Sequence, residues 1–104
     1  MNNKIKAYIG FAINKGSVIF GIDNIVKSKL KIKLVLLCKS AQKNTRKEAA
    51  EFCEKKNIRL LETAVPLEEL ASRNGVKVLA ITDTNLAQAI IKNSDEEDVC
   101  GGVN

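Results

Sequence analysis

The chain has 104 residues, the length of one ordinary domain, and 45% of them are hydrophobic, too many for a disordered chain. It carries 17 Lys and Arg against 12 Asp and Glu, a formal charge of +5, and has no His and no Trp. Without His there is no Ser-His-Asp triad, no Cys-His pair and no His-ligated metal site.

Taken in chain order, the apolar pattern alternates between helical and strand spacing. Ile5, Ile9, Ala12 and Ile13 recur at helical intervals, and Lys15-Gly16 supplies a basic last turn and a glycine stop. Residues 17–20 read as a short strand ending at Gly21. Ile22, Ile25, Val26 and Leu30 predict a helix over 22–30. Residues 34–38, Leu-Val-Leu-Leu-Cys, are apolar on both faces and predict a central strand covered on two sides. Thr45-Arg46-Lys47-Glu48 reads as a capping box, so a third helix is expected from there, with Ala49, Phe52 and Cys53 facing inward. A strand is expected over 58–61. Pro66 suits the first turn of a fourth helix that buries Leu67, Leu70 and Ala71. Residues 78–81 form another apolar strand. Asp83 or Thr84 can cap a last helix that buries Leu86 and Ile90.

Four strands alternating with about five helices predict a three-layer α/β/α sandwich with a mixed sheet, mostly parallel at its centre. The single domain is expected to span 1–93. Residues 94–104 read as an acidic, flexible tail, because Asp95, Glu96, Glu97 and Asp98 lie there without a base.

The longest apolar run, residues 34–38, is far short of the roughly 20 residues that span a bilayer. The first residues, Met-Asn-Asn-Lys-Ile-Lys, show no apolar signal core, so no export is expected and a cytoplasmic location is. Cys38, Cys53 and Cys100 are odd in number and widely spaced, with no CxxC, so they outline neither a disulfide framework nor a zinc set. No nucleophile–base pair and no phosphate-cradling glycine motif occurs. No catalysis, cofactor, metal or small-molecule substrate is therefore expected.

The charge has a pattern. The tail accounts for four acids, which leaves eight acids against all 17 bases in the body, a net +9. Eight of those bases fall between positions 27 and 47, where there is no acid: Lys27, Lys29, Lys31, Lys33, Lys39, Lys43, Arg46 and Lys47. Such a stretch attracts polyanions by releasing their condensed counterions. Beside it lies Gly21-Ile22-Asp23-Asn24-Ile25-Val26-Lys27, where a strand ends, a glycine turns the chain and a helix starts. Free N–H groups at a helix start suit phosphates or acceptor edges of bases, although Asp and Asn there also serve as plain caps.

This stretch resembles the Gly-x-Asn-Glu-x-x-Lys signature of the kink-turn RNA-binding ribosomal-protein superfamily, whose bacterial YlxQ-type members are close in length and layout. The resemblance runs over residues 5–91. It takes in Lys31-Ile32-Lys33-Leu34-Val35-Leu36-Leu37, Asn44-Thr45 with Cys53-Glu54-Lys55-Lys56-Asn57-Ile58, and Leu70 and Gly75 ahead of Val78-Leu79-Ala80-Ile81-Thr82-Asp83. It implies an α/β/α sandwich that sets the start of its second helix against tandem sheared G·A pairs, with a loop before the last strand over an extruded nucleotide. On this chain Gly21 and Ile22 would bring the backbone to the RNA, Asp23 stands at the family's Asn position and Asn24 at its Glu position. Lys27 would contact phosphate or a base edge, and Asn74, Gly75 and Val76 would meet the extruded base. Lys29, Lys31 and Lys33 would add phosphate contacts. The implied function is non-enzymatic binding of structured RNA, plausibly ribosomal RNA, in a ribonucleoprotein. The departures at 23 and 24 leave an alternative, a protein-interaction module of the same fold that has lost kink-turn recognition.

Overall fold

The computed structural model describes residues 3–97. Their order is α1 (Asn3–Lys15), β1 (Val18–Phe20), α2 (Ile22–Lys27), β2 (Leu34–Cys38), α3 (Lys43–Lys56), β3 (Arg59–Thr63), α4 (Leu67–Ala71), β4 (Val78–Ile81) and α5 (Thr84–Glu97). The chain is an α/β sandwich built on a four-stranded mixed sheet with strand order β1-β4-β2-β3.

Every residue of β2 and of β4 is buried. Leu34, Leu36 and Cys38 pack with Ile9, Leu67, Leu79 and Ile90 on the face covered by α1, α4 and α5. Val35 and Leu37 alternate to the other face, where Ile25 of α2 and Ala49 and Cys53 of α3 meet them. Burying one such Leu fully stabilises the fold by about 1.5–3 kcal/mol. That two-sided demand holds β2 at the centre.

The centre is not parallel. β4 runs antiparallel to both β1 and β2, and only β2 and β3, joined through α3, are parallel. The apolar run of 34–38 reports burial on two faces, and burial is indifferent to strand direction.

Several boundaries moved for local reasons. α2 stops at Lys27, not near position 30. Ser28 is extended, at φ −67° and ψ 140°, and its hydroxyl accepts the Leu30 N–H, so the side chain competes with helix continuation. α3 starts at Lys43 after the cap residue Gln42, so Thr45 lies inside the helix and caps nothing. A turn closed by Ala41 N–H on Cys38 C=O brings the chain into the helix early, and Arg46 then ties its first turn to Glu62 at 2.6 Å and to Lys39 C=O at 2.9 Å. β3 is shifted to Arg59–Thr63, because Asn57 ends α3 in the left-handed region at φ 60°. Phe52 and Leu86 are half-buried. The backbone of α5 continues through the expected tail boundary at position 94 as far as Glu97, and the remainder of that tail lies outside the described residues.

Asp83 caps α5. Its carboxylate accepts the Leu86 N–H at 2.8 Å and an ion pair from Lys15 at the end of α1. The Lys15 bond and the Leu86 N–H hold its pKa below the ordinary Asp value. A depressed carboxylate pKa adds stability above the unfolded value, near 3.9, that is lost as pH falls through the folded value. Urea unfolding of wild type and Asp83→Ala should therefore show the largest gap at pH 7 and a shrinking gap toward pH 3. A gap independent of pH would contradict this assignment.

Candidate nucleic-acid interface

The sheet has two ends, and hydrogen bonds fix which loops meet at each. At one end Gly21 N–H donates to Val78 C=O at 3.1 Å, and Cys38 N–H donates to Lys77 C=O at 2.7 Å. The turn into α2, the loop at 39–42 and the loop at 72–77 thus converge there. At the other end Lys33 N–H donates to Ile81 C=O at 2.8 Å. The two ends are separated by about 10 Å of β4, three residue steps.

At the first end Gly21 takes φ 87° and ψ 139°, a conformation open almost only to glycine. It lets the chain leave β1 and enter α2 within one residue. Asn24, one turn on, donates its Nδ2 to Phe20 C=O at 2.9 Å. That bond uses one of its two amide hydrogens, so the exposed Asn24 side chain still carries a second N–H donor and an acceptor oxygen.

The loop beside it is tightly held. Ser72 and Gly75 both adopt positive φ, 53° and 83°. Glu68 gathers the loop, with its C=O accepting Arg73 N–H at 3.0 Å and its Oε2 accepting Gly75 N–H at 2.6 Å. The Arg73 guanidinium lies over the Phe20 ring, 4.3 Å from its centroid, and stacks the loop on the end of β1. Arg73, Asn74 and Gly75 are exposed. Val76 is buried and packs in the core, so it is not available to cover a base. Ile22 is half-buried against the α2–α3 side of the sheet.

Lys77 donates to Ser40 Oγ at 3.0 Å, and Ser40 Oγ lies 3.2 Å from Cys38 Sγ. Burial raises the Cys38 pKa, but the Ser40 hydroxyl, the Leu67 N–H at the start of α4 and the Lys77 charge outweigh it and leave the thiol below its ordinary value. Cys53 has no such partners, and burial pushes it up to about 11. The Cys38–Ser40–Lys77 chain thus ties the loop at 39–42 to the base of the 72–77 loop.

The residues singled out from sequence divide into three places. Gly21, Asn24, Asn74 and Gly75 come together at the first end. Asp23 and Lys27, four residues apart on one helical face, line a hollow against α3 shared with Glu48, Glu51 and Lys55. Asp23 is exposed and sits on the side of α2 next to α3. Lys29, Lys31 and Lys33 lie along the path to the opposite end, beside Lys56. Bases at the first end include Lys39, Arg73 and Lys77, with Arg46 held between the Lys39 carbonyl and Glu62. Sequence reading passed over Arg73 and Lys77, although both flank the Asn74-Gly75-Val76 segment it had chosen.

A Cβ at Gly21 would meet only Asn24 Nδ2 at 3.8 Å, so the penalty for a side chain there is conformational rather than steric. Gly21→Ala should destabilise the chain by about 1–3 kcal/mol in urea unfolding. An unchanged midpoint would show that the positive φ is not needed.

Among the described residues no helix is long and apolar enough to cross a membrane, and no group of three or more potential metal ligands is present. No family model matches the chain, and no curated protein does. Many solved structures resemble it. One, a protein of unknown function from Bacillus halodurans, superposes with a TM-score of 0.82 at 18% sequence identity, over 90% of this chain and 99% of that one. At that identity the likeness establishes a shared fold.

Proposed function

We propose that this chain is a non-enzymatic, cytoplasmic RNA-binding protein of the kink-turn ribosomal-protein type. It binds structured RNA, of the kind found in ribosomal RNA, at the end of the sheet formed by Gly21, Asn24 and the 72–77 loop. The observation that carries the reading is the convergence of two separate segments. The Gly21 turn and the Asn74-Gly75 tip are 53 residues apart in sequence, and Val78 and the Arg73–Phe20 stack hold them side by side.

The chemistry of that end suits RNA. Exposed backbone at two glycines permits close approach, and the exposed Asn24 amide offers donor and acceptor groups to a base edge. Lys39, Arg73 and Lys77 supply phosphate contacts around it. RNA of this kind is read through its shape and unstacked bases rather than through duplex sequence. Phosphate contacts position the protein, and base contacts add discrimination.

The test is a titration of the full chain against a kink-turn RNA and a scrambled duplex of equal length. Tighter binding to the kink-turn is expected. Asn24→Ala should lower that preference by about threefold to tenfold, the worth of a hydrogen bond of about 0.5–1.5 kcal/mol. Lys77→Ala should weaken both RNAs alike and reduce the salt dependence by about one contact. Equal affinity for the two RNAs, unchanged in Asn24→Ala, would remove kink-turn recognition.

A further inference from the structure

A second surface lies at the opposite end and takes no part in the site above. Two large apolar side chains stand in solvent there, Val26 with 53% and Leu30 with 63% of their surface exposed. Ordinary folding would bury both. α2 is too short to carry Leu30 onto the core, and the Ser28 turn lifts it outward. Between these residues and the half-buried Phe52 of α3 runs an open trough of about 610 Å³.

The rim of the trough is basic. Lys29, Lys31, Lys33 and Lys56 line it, and no carboxylate does. Lys31 and Lys33 flank the buried Ile32, which anchors this otherwise extended segment to the α2–α3 side of the sheet. The acids Asp23, Glu48 and Glu51 line an adjoining hollow, which shares Val26, Phe52 and Lys56 with the trough, so the basic rim is the one at 29–33.

An occupant must satisfy both features. Four lysines call for a polyanion. A phosphate backbone meets that demand, but it leaves Val26 and Leu30 with nothing to cover them, since nucleic-acid interfaces are polar and bases stack on aromatic faces. The only aromatic residue here, Phe52, is half-buried in the trough floor. An exposed apolar patch with a polar rim marks a protein or membrane contact, and a trough recessed between residues 26–33 and α3 suits an inserted side chain better than a flat lipid surface. An acidic peptide with large apolar side chains meets both demands at once, its carboxylates against the lysines and its apolar groups on Val26 and Leu30.

We propose that the trough between residues 26–33 and α3 receives an acidic segment of a partner protein, anchored by one or two large apolar side chains. The site is independent of the RNA-facing end, so one protein can hold an RNA and a protein partner at opposite ends of its sheet.

The experiment selects a phage-displayed library of random twelve-residue peptides on the immobilised full chain, then measures the enriched peptides by fluorescence anisotropy. Enrichment of peptides that combine Asp or Glu with Leu, Ile or Phe is expected. Leu30→Ser and the double variant Lys31→Glu/Lys33→Glu should each weaken those peptides at least tenfold. These positions are exposed, and circular dichroism should show the fold unchanged. A twelve-nucleotide poly(U) RNA serves as the competing probe, and its affinity should not respond to Leu30→Ser. The proposal is overturned by no enrichment, by enriched peptides without acids, or by peptide affinity indifferent to both variants. A tenfold loss of RNA affinity in Leu30→Ser would also overturn it, because the trough would then be a nucleic-acid surface.

Discussion

The antiparallel pairing of β4 with β1 on one side and β2 on the other is the constraint on which the rest depends. β4 is four residues long and fully buried, and each of its ends fixes loops. At its start, Val78 C=O takes the Gly21 N–H and Lys77 C=O takes the Cys38 N–H. At its finish, Ile81 C=O takes the Lys33 N–H. Without β4 between them, β1 and β2 would have no common frame, and the turn into α2 would have no fixed distance from the 72–77 loop. The energetics follow the same line. The side chains of β2 and β4 fill both layers of the core, so their burial ties the positions of the surface loops to the most stable part of the molecule.

This frame separates two kinds of surface. The first end is polar, held by hydrogen bonds and an arginine stack, with two glycines at positive φ and bases arrayed around them. The opposite end is an apolar trough under lysines. A single basic stretch from 27 to 47 feeds both, because β2 passes through the middle of it and carries its two halves to opposite ends of the sheet. Lys29, Lys31 and Lys33 fall on one side of that strand, and Lys39 on the other.

The sequence made the elements legible where their signal was burial. The five-residue run at 34–38, the strand at 78–81 and the helix that buries Leu67, Leu70 and Ala71 all stand where periodicity predicts them. It misled where a local side-chain competition or a distant contact decided. The Ser28 hydroxyl ended α2 early, so apolar spacing overstated that helix. The Cys38–Ala41 turn began α3 before the capping box. Strand direction stayed hidden because two-sided burial looks the same in parallel and antiparallel pairs. At the candidate site, Gly21 and Asn24 were readable from a strand-glycine-helix pattern. Arg73 and Lys77 were not, because their relevance depends on a stack against Phe20 and a bond to Ser40, both of which exist only in the folded chain. The place of Asp23 in a hollow beside α3 is equally a tertiary fact.

The central claim is that RNA meets the end of the sheet where Gly21 and the 72–77 loop converge. Amide chemical-shift mapping of the ¹⁵N-labelled chain with a kink-turn RNA tests it most directly, since it reports every backbone position at once. The largest shifts are expected at Gly21, Asn24, Arg73, Asn74 and Gly75, with little change at Leu30 and Lys31. Shifts concentrated at Leu30, Lys31 and Lys56, with Gly21 and Gly75 unmoved, would contradict it.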